Sequence, residues 1–145
     1  MDMGRVFENY LARVVADAFA RRPGWAIESQ PRFELGATRG EPVVLQPDLL
    51  VRRRGKPVAV LDAKWKAAKP DAADVHQILA YATVTGARHV GLVYPGRRFA
   101  RRDLLTDGGR VRVSLFRVQV VGPADACRGS VSRFARVLSR TVKPA

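Results

Sequence analysis

Three residues in one stretch of the chain have the types and spacing to do chemistry together: Asp48, Asp62 and Lys64. Two apolar runs, Val43 to Val51 and Pro57 to Ala63, flank Arg52-Arg53-Arg54-Gly55-Lys56, a polar, Gly-containing link that suits a β-hairpin. With the turn centred on Gly55, Asp48 and Asp62 stand equidistant from it and face each other across the two strands. Side chains alternate along a strand, so Lys64 emerges on the face of Asp62, while Leu61 and Ala63 point the other way into the core. Two adjacent carboxylates repel unless a cation lies between them, and an all-oxygen pair suits Mg²⁺ or Mn²⁺. Such an ion acidifies a bound water and neutralises charge on a phosphodiester, with Lys64 positioning the water or stabilising the transition state. The bland alternative is a surface hairpin whose Asp62–Lys64 ion pair is worth about 0–1 kcal/mol.

The remaining elements must hold that hairpin. Phe7, Leu11, Val14, Val15 and Ala18 recur at spacings of three and four, which predicts an amphipathic helix over 4–21 that ends at Pro23-Gly24, with Glu8 on the flank of its apolar stripe. Trp25 to Leu35 is β-compatible, and Gly36 to Gly40 reads as a turn. Asp71 can cap a second helix running to about Thr85, with Asp74 favourable in its first turn, Val75, Ile78, Leu79 and Ala82 buried, and Gly86 as its stop. His89 to Tyr94 predicts a short buried strand closed by Pro95-Gly96. An Arg-rich connection (Arg97, Arg98, Arg101, Arg102) leads to a Val-rich strand over 111–121, and residues 126–140 again have helical spacing. The order is αβββαβ followed by βα, with strands apolar on both faces. That pattern predicts an α/β or α+β fold with a mixed central sheet flanked by helices, in one domain over 1–145.

Composition narrows the partner. The 145 residues carry 26 Lys+Arg against 13 Asp+Glu, a formal charge of +13, and 47% are hydrophobic, enough for a core. A polyanion is the expected partner, with nucleic acid ahead of membrane because no segment has a long apolar run. The single Cys127 excludes an internal disulfide and a Cys-rich zinc module, and the N-terminus lacks a secretory signal, so a soluble cytoplasmic protein is expected. The acids concentrate in the first half: residues 1–72 hold 9 of the 13.

In order, the chain reads Gln46-Pro47-Asp48, Asp62-Ala63-Lys64, then Asp74-Val75-His76-Gln77-Ile78-Leu79-Ala80-Tyr81. This resembles the PD-(D/E)XK nuclease superfamily, with Pro47-Asp48 as its first motif, Asp62-Ala63-Lys64 as its second, and Gln77 and Tyr81 as the Q-x-x-x-Y element of RecB-like branches. The wording is closer still to the nuclease domain of McrC-type subunits of modification-dependent restriction systems, in Phe7-Glu8, Leu45-Gln46-Pro47-Asp48, Asp62-Ala63-Lys64-Trp65-Lys66, the Gln77 to Tyr81 helix and Val93-Tyr94-Pro95. The resemblance spans roughly residues 7–95. It implies a restriction-endonuclease-like αβββαβ core with an added C-terminal strand and helix, and a Mg²⁺-dependent (or Mn²⁺-dependent) DNA endonuclease. Asp48 and Asp62 would be metal ligands, Lys64 the catalytic lysine, and Glu8 an outer ligand or water-orienting group. Gln77 and Tyr81 would orient the site or touch the DNA backbone. McrC proteins also carry an N-terminal region that engages a GTPase, and nothing of that size precedes Glu8, so a stand-alone nuclease or an excised domain is expected and a GTPase or other targeting subunit is disfavoured.

Arg97, Arg98, Arg101 and Arg102, together with Lys66, are the candidate DNA contacts, since Arg binds phosphate oxygens bidentately. Arg133, Arg136 and Arg140 read as an exposed helix face, Trp25 and Trp65 as packing residues, and His76 and His89 lack partners for zinc. Two other readings keep part of this account: a non-catalytic DNA-binding module of the same fold, and a Holliday-junction-resolvase or mobile-element nuclease, for which a homodimer is expected.

Overall fold

In the computed structural model, which describes residues 2–67 and 69–142, the four-residue spacing of Phe7, Leu11, Val15 and Phe19 becomes the buried stripe of helix α1 (Met3–Phe19). Asp2 caps it by accepting the Arg5 N–H at 3.2 Å. There follow β1 (Trp25–Ser29), β2 (Phe33–Thr38), β3 (Glu41–Leu45), β4 (Leu49–Arg53), β5 (Lys56–Ala63), α2 (Ala72–Thr85), β6 (His89–Gly96) and β7 (Ala100–Leu105). A 3₁₀ turn (Asp107–Gly109), β8 (Arg112–Gln119) and α3 (Ala124–Thr141) complete the order. Asp71 caps α2 by accepting the Asp74 N–H at 2.9 Å, and Gly86 ends it in the left-handed region at φ 78°.

Six strands form one mixed sheet in the order β1-β4-β5-β6-β8-β7, and β2 and β3 pair separately. β1, β4 and β5 are antiparallel, β5, β6 and β8 are parallel, and β7 returns antiparallel along β8. Helices α1 and α3 cover one face through Leu49, Val51, Ala59, Leu61 and Phe116. Helix α2 covers the other through Leu50, Val60, Val90 and Leu92. Alternate residues of β4 and β5 thus enter opposite cores, which is why those strands read as continuous apolar runs. No helix among the described residues is long and apolar enough to cross a membrane.

The element order departs from the sequence expectation in three places. The Gly36 to Gly40 stretch is mostly strand: β2 runs to Thr38, and the turn is Arg39-Gly40, with φ 53° and 82°. The apolar run from Val43 is two strands, β3 and β4, interrupted at Gln46-Pro47-Asp48, where Pro47 cannot donate to a ladder. The Arg-rich connection after Gly96 is largely the edge strand β7, so Arg101 and Arg102 alternate across a strand instead of sharing a loop.

The hairpin register has its own explanation. Arg53 pairs with Lys56 around a two-residue Arg54-Gly55 turn, with φ 49° and 81°, the positive-φ pair of a type I′ hairpin. That turn alone would set Asp48 opposite Leu61. The ladder shifts between Val51 and Arg52, leaving Val58 as an extra residue next to Pro57, and beyond it Leu49 pairs with Leu61. Asp48 and Asp62 therefore come level because of a bulge, and a turn centred on Gly55 mimics its effect in the arithmetic.

Candidate active site

Asp48 stands at the entry to β4 and Asp62 near the end of β5, where the backbone ladder brings them together. The Asp48 N–H donates to Asp62 Oδ1 at 3.2 Å, and the Ala63 N–H donates to Asp48 Oδ2 at 2.7 Å. Asp62 is 5% exposed. Burial, then the Asp62 charge, push the Asp48 carboxyl up to about 8, with Glu8 adding to the rise and the Ala63 N–H opposing it. Asp48 is thus largely protonated at neutral pH unless positive charge arrives. Glu8, Asp48 and Asp62 line one small cavity beneath α1, together with Leu11 and Val93.

Lys64 lies just past β5, and its N–H donates to Val93 O at 2.9 Å, which carries the β5–β6 pairing one residue further. Its ammonium reaches Asp62 Oδ2 at 3.0 Å and donates to Gln77 Oε1 at 2.5 Å. Gln77 in turn donates from Nε2 to Tyr81 Oη at 3.0 Å, across one turn of α2. Burial, followed by the charges of Asp62 and Asp48, raises the Tyr81 phenol to about 12, so it keeps its proton. The structure brings Asp48, Asp62, Lys64, Gln77 and Tyr81 into one connected cluster, with Glu8 at its border.

Two residues that the sequence did not single out help to set the geometry. Gln30 donates from Nε2 to Glu8 Oε1, and its own N–H donates to Asp48 O at 2.8 Å, tying α1 to the start of β4. Gln46 donates from Nε2 to Gln30 O at 3.0 Å and braces this joint. Gln30 has φ 49°, a conformation that no local sequence pattern announces. Gln46 adjoins the Pro47-Asp48 motif, and that adjacency is its one signal in the sequence.

The candidate DNA contacts disperse. Lys66 forms ion pairs with Asp74 at 2.5 Å and with Asp71 at 3.1 Å. Asp74 is nearly buried, and burial would raise it, but Lys66 and the Tyr94 hydroxyl at 2.7 Å outweigh that and hold its carboxyl below the usual range. Lys66 thus braces the N-terminus of α2. Arg97 and Arg98 are exposed after β6, at the sheet end that carries Lys64. Arg101 is committed elsewhere: it pairs with Asp103 at 3.0 Å, donates to Thr141 Oγ1 at 2.8 Å and lies over the Phe116 ring. Arg102 is exposed on the opposite face of β7. Arg101 and Arg102 therefore do not share a surface, because a strand sends successive residues to opposite sides.

The donor set at the carboxylate pair is all oxygen, which fits a hard dication. Among the described residues no group of three His, Cys, Asp or Glu is gathered as a metal cage, and Glu8 already accepts from Gln30. Two carboxylates without a cage match the habit of Mg²⁺, which keeps several waters and binds through one or two carboxylates plus substrate phosphate. Asp48 and Asp62 are the residues that would hold it.

Residues 1–95 match the family model described as McrBC 5-methylcytosine restriction system component. Among solved structures, the assembly of Thermococcus gammatolerans McrB AAA+ hexamers with bound McrC contains a chain similar to this one. The TM-score is 0.73 at 17% identity, covering 98% of this chain and 34% of that chain. At that identity the likeness is one of fold, and this chain spans about a third of the length of its structural neighbour. No curated protein matches.

Proposed function

Because the chain belongs to the family of McrBC 5-methylcytosine restriction system components, we propose that it is a DNA-cleaving module of such a system, a Mg²⁺- or Mn²⁺-dependent endonuclease of the PD-(D/E)XK kind. The observation that carries this reading is the Asp48–Asp62 pair with the Lys64 ammonium 3.0 Å from Asp62. A dication held there would supply charge neutralisation on a phosphodiester and acidify a water.

The chain's own residues divide the remaining work. Asp48 and Asp62 present oxygens from adjacent strands, fixed by main-chain N–H groups on each other's strand. Lys64 places a cation at the rim of the pair, where negative charge develops as the phosphodiester is attacked. Gln77 accepts from Lys64 and limits its rotamers, and protonated Tyr81 anchors Gln77. Glu8, held by Gln30, borders the cavity and would orient a water there. The basic surface draws DNA in, since the chain carries +13 overall.

Modified DNA as the target follows from the family's description, and the neighbouring assembly supports a McrB-like AAA+ hexamer as the targeting subunit. That reading favours the GTPase or other targeting subunit that the sequence left disfavoured. Incubating the purified chain with supercoiled plasmid, with and without 5-methylcytosine, in Mg²⁺, Mn²⁺ or EDTA tests the proposal. Nicking that needs the dication and disappears in Asp62→Ala and Lys64→Ala is expected. Nicking retained in both variants would overturn it.

A further inference from the structure

At the opposite end of the sheet from Asp62 lies a second, wider groove. Its floor is the start of β5 at Pro57 and Val58 and the end of α2, and its walls carry eight cationic side chains, seven of them arginine. They come from separate elements: Arg54 from the β4–β5 turn, Arg88 at the entry to β6, Arg110 and Arg112 at the entry to β8, and Arg140 at the end of α3. No Asp or Glu among the described residues lines it. Of the eight, Arg101 is the one whose ion pair with a carboxylate is seen among the described residues, through Asp103. Arg54, Lys56, Arg88, Arg110, Arg112 and Arg140 are exposed.

Among the described residues, local electrostatics do not account for this concentration. Helices α2 and α3 both end here, and each C-terminus is worth about half a negative charge, so together with Asp103 they offset about two of the eight cations. A concave, arginine-lined wall with only small apolar residues suits a ridge of phosphates, which guanidinium forks bind bidentately. It does not suit a flat bilayer, and it offers no large apolar pocket to anchor an amphipathic acidic peptide.

We propose that this groove is a docking surface for duplex DNA, separate from the cleavage site. The proposal takes DNA as the polyanion from the function proposed above. From Pro57 to Asp62, β5 spans about 16 Å of extended chain, and the two sites open at opposite ends of it. A straight duplex seated at Asp48 and Asp62 therefore cannot also fill the groove, so the groove holds a second DNA segment. Because no Asp or Glu among the described residues lines it, docking there does not require Mg²⁺.

The test is fluorescence anisotropy of a labelled duplex against salt concentration in EDTA. It compares the wild-type chain, an Arg88→Glu/Arg110→Glu/Arg112→Glu variant and an equal-charge control on the outer face of α3, Arg128→Glu/Arg133→Glu/Arg136→Glu. The groove variant is expected to bind more than about tenfold more weakly at 0.1 M salt, with the log–log salt slope smaller by about three and the control changed by less than half as much. Mass spectrometry of phenylglyoxal adducts on the wild-type chain reads the same surface without substitution: DNA should protect Arg88, Arg110 and Arg112 in EDTA. An unchanged slope in the groove variant, absent protection, or no duplex binding by the wild-type chain would each overturn the groove. Plasmid nicking that persists while groove binding fails would sink only this inference. Groove protection in a chain that never nicks would sink only the nuclease reading.

Discussion

The N–H of Asp48 donates to the Asp62 carboxylate at 3.2 Å, so the backbone of one acid holds the side chain of the other, and the Asp48 carboxylate is held in turn by the neighbour of Asp62, Ala63, at 2.7 Å. Neither acid can swing away without breaking a strand-edge hydrogen bond. Such a pair stores electrostatic cost in the metal-free protein.

That cost should be visible in stability. The Asp48 carboxyl is raised from 3.8 to about 8, so the folded state holds a proton that the unfolded state has lost. The contribution is fully present below about pH 4 and is lost as pH rises toward 8. Asp48→Asn removes the charge and is expected to stabilise the chain in EDTA at pH 8 by on the order of 2 kcal/mol, a figure discounted for partial solvation of the site. Urea unfolding of both proteins at pH 5 and pH 8 measures it, and the gain should shrink at pH 5.

Metal binding should release protons. At pH 7 the Asp48 carboxyl holds most of its proton, and a dication requires it ionised, so Mn²⁺ binding is expected to expel up to about one proton per ion and to tighten as pH rises toward 8. Calorimetry in buffers of different ionisation enthalpy reads the proton count. Asp48→Asn should abolish the release.

Lys64 and Gln77 should separate in their effects on turnover. Lys64→Ala removes the cation at the rim of the site and is expected to slow cleavage about 10²- to 10³-fold. Gln77→Ala leaves that cation in place but free to move, with an expected loss of about tenfold. Single-turnover cleavage at saturating DNA checks both, and DNA affinity in EDTA should stay within a few fold of the parent chain.

His89 predicts acid sensitivity of the opposite sign. It is buried with Nε2 3.0 Å from Ser114 Oγ, and burial, aided by Arg112 and Arg101, lowers it to about 4. Its contribution is present above pH 6.5 and is lost as pH falls through about 4, at up to about 1.4 kcal/mol per pH unit. In the parent chain the Asp48 and His89 trends oppose each other between these limits. Asp48→Asn should therefore unfold more readily at pH 4.5 than at pH 6.5, and Asp48→Asn/His89→Gln should flatten that dependence, both read by urea midpoints.

Much of this centre was legible because it rests on local rules. Strand alternation placed Lys64 with Asp62, helical spacing placed Gln77 with Tyr81, and Asp71 and Gly86 marked the ends of α2. What escaped depends on contacts between distant segments. The β2–β3 hairpin was hidden because Gly36 and Gly40 read as a single turn. Strand β7 was hidden because Arg-rich sequence resembles a solvated loop, although an edge strand tolerates such residues well. The bulge at Val58 corrected an incorrect turn centre without leaving a trace in the arithmetic. Gln30 reaches Glu8 only because the chain folds β1 beside β4, and the basic groove joins arginines from five places far apart in sequence: the β4–β5 hairpin, the entries to β6 and β8, β7 and α3.

A divalent cation shared by Asp48 and Asp62 is what the proposed cleavage depends on. Crystals soaked in Mn²⁺ and measured at the manganese edge test it most directly. An anomalous peak within bonding distance of both carboxylates, absent in Asp62→Ala, is the predicted result. A chain that shows no peak there at saturating Mn²⁺, or a peak that survives unchanged in Asp62→Ala, would contradict it.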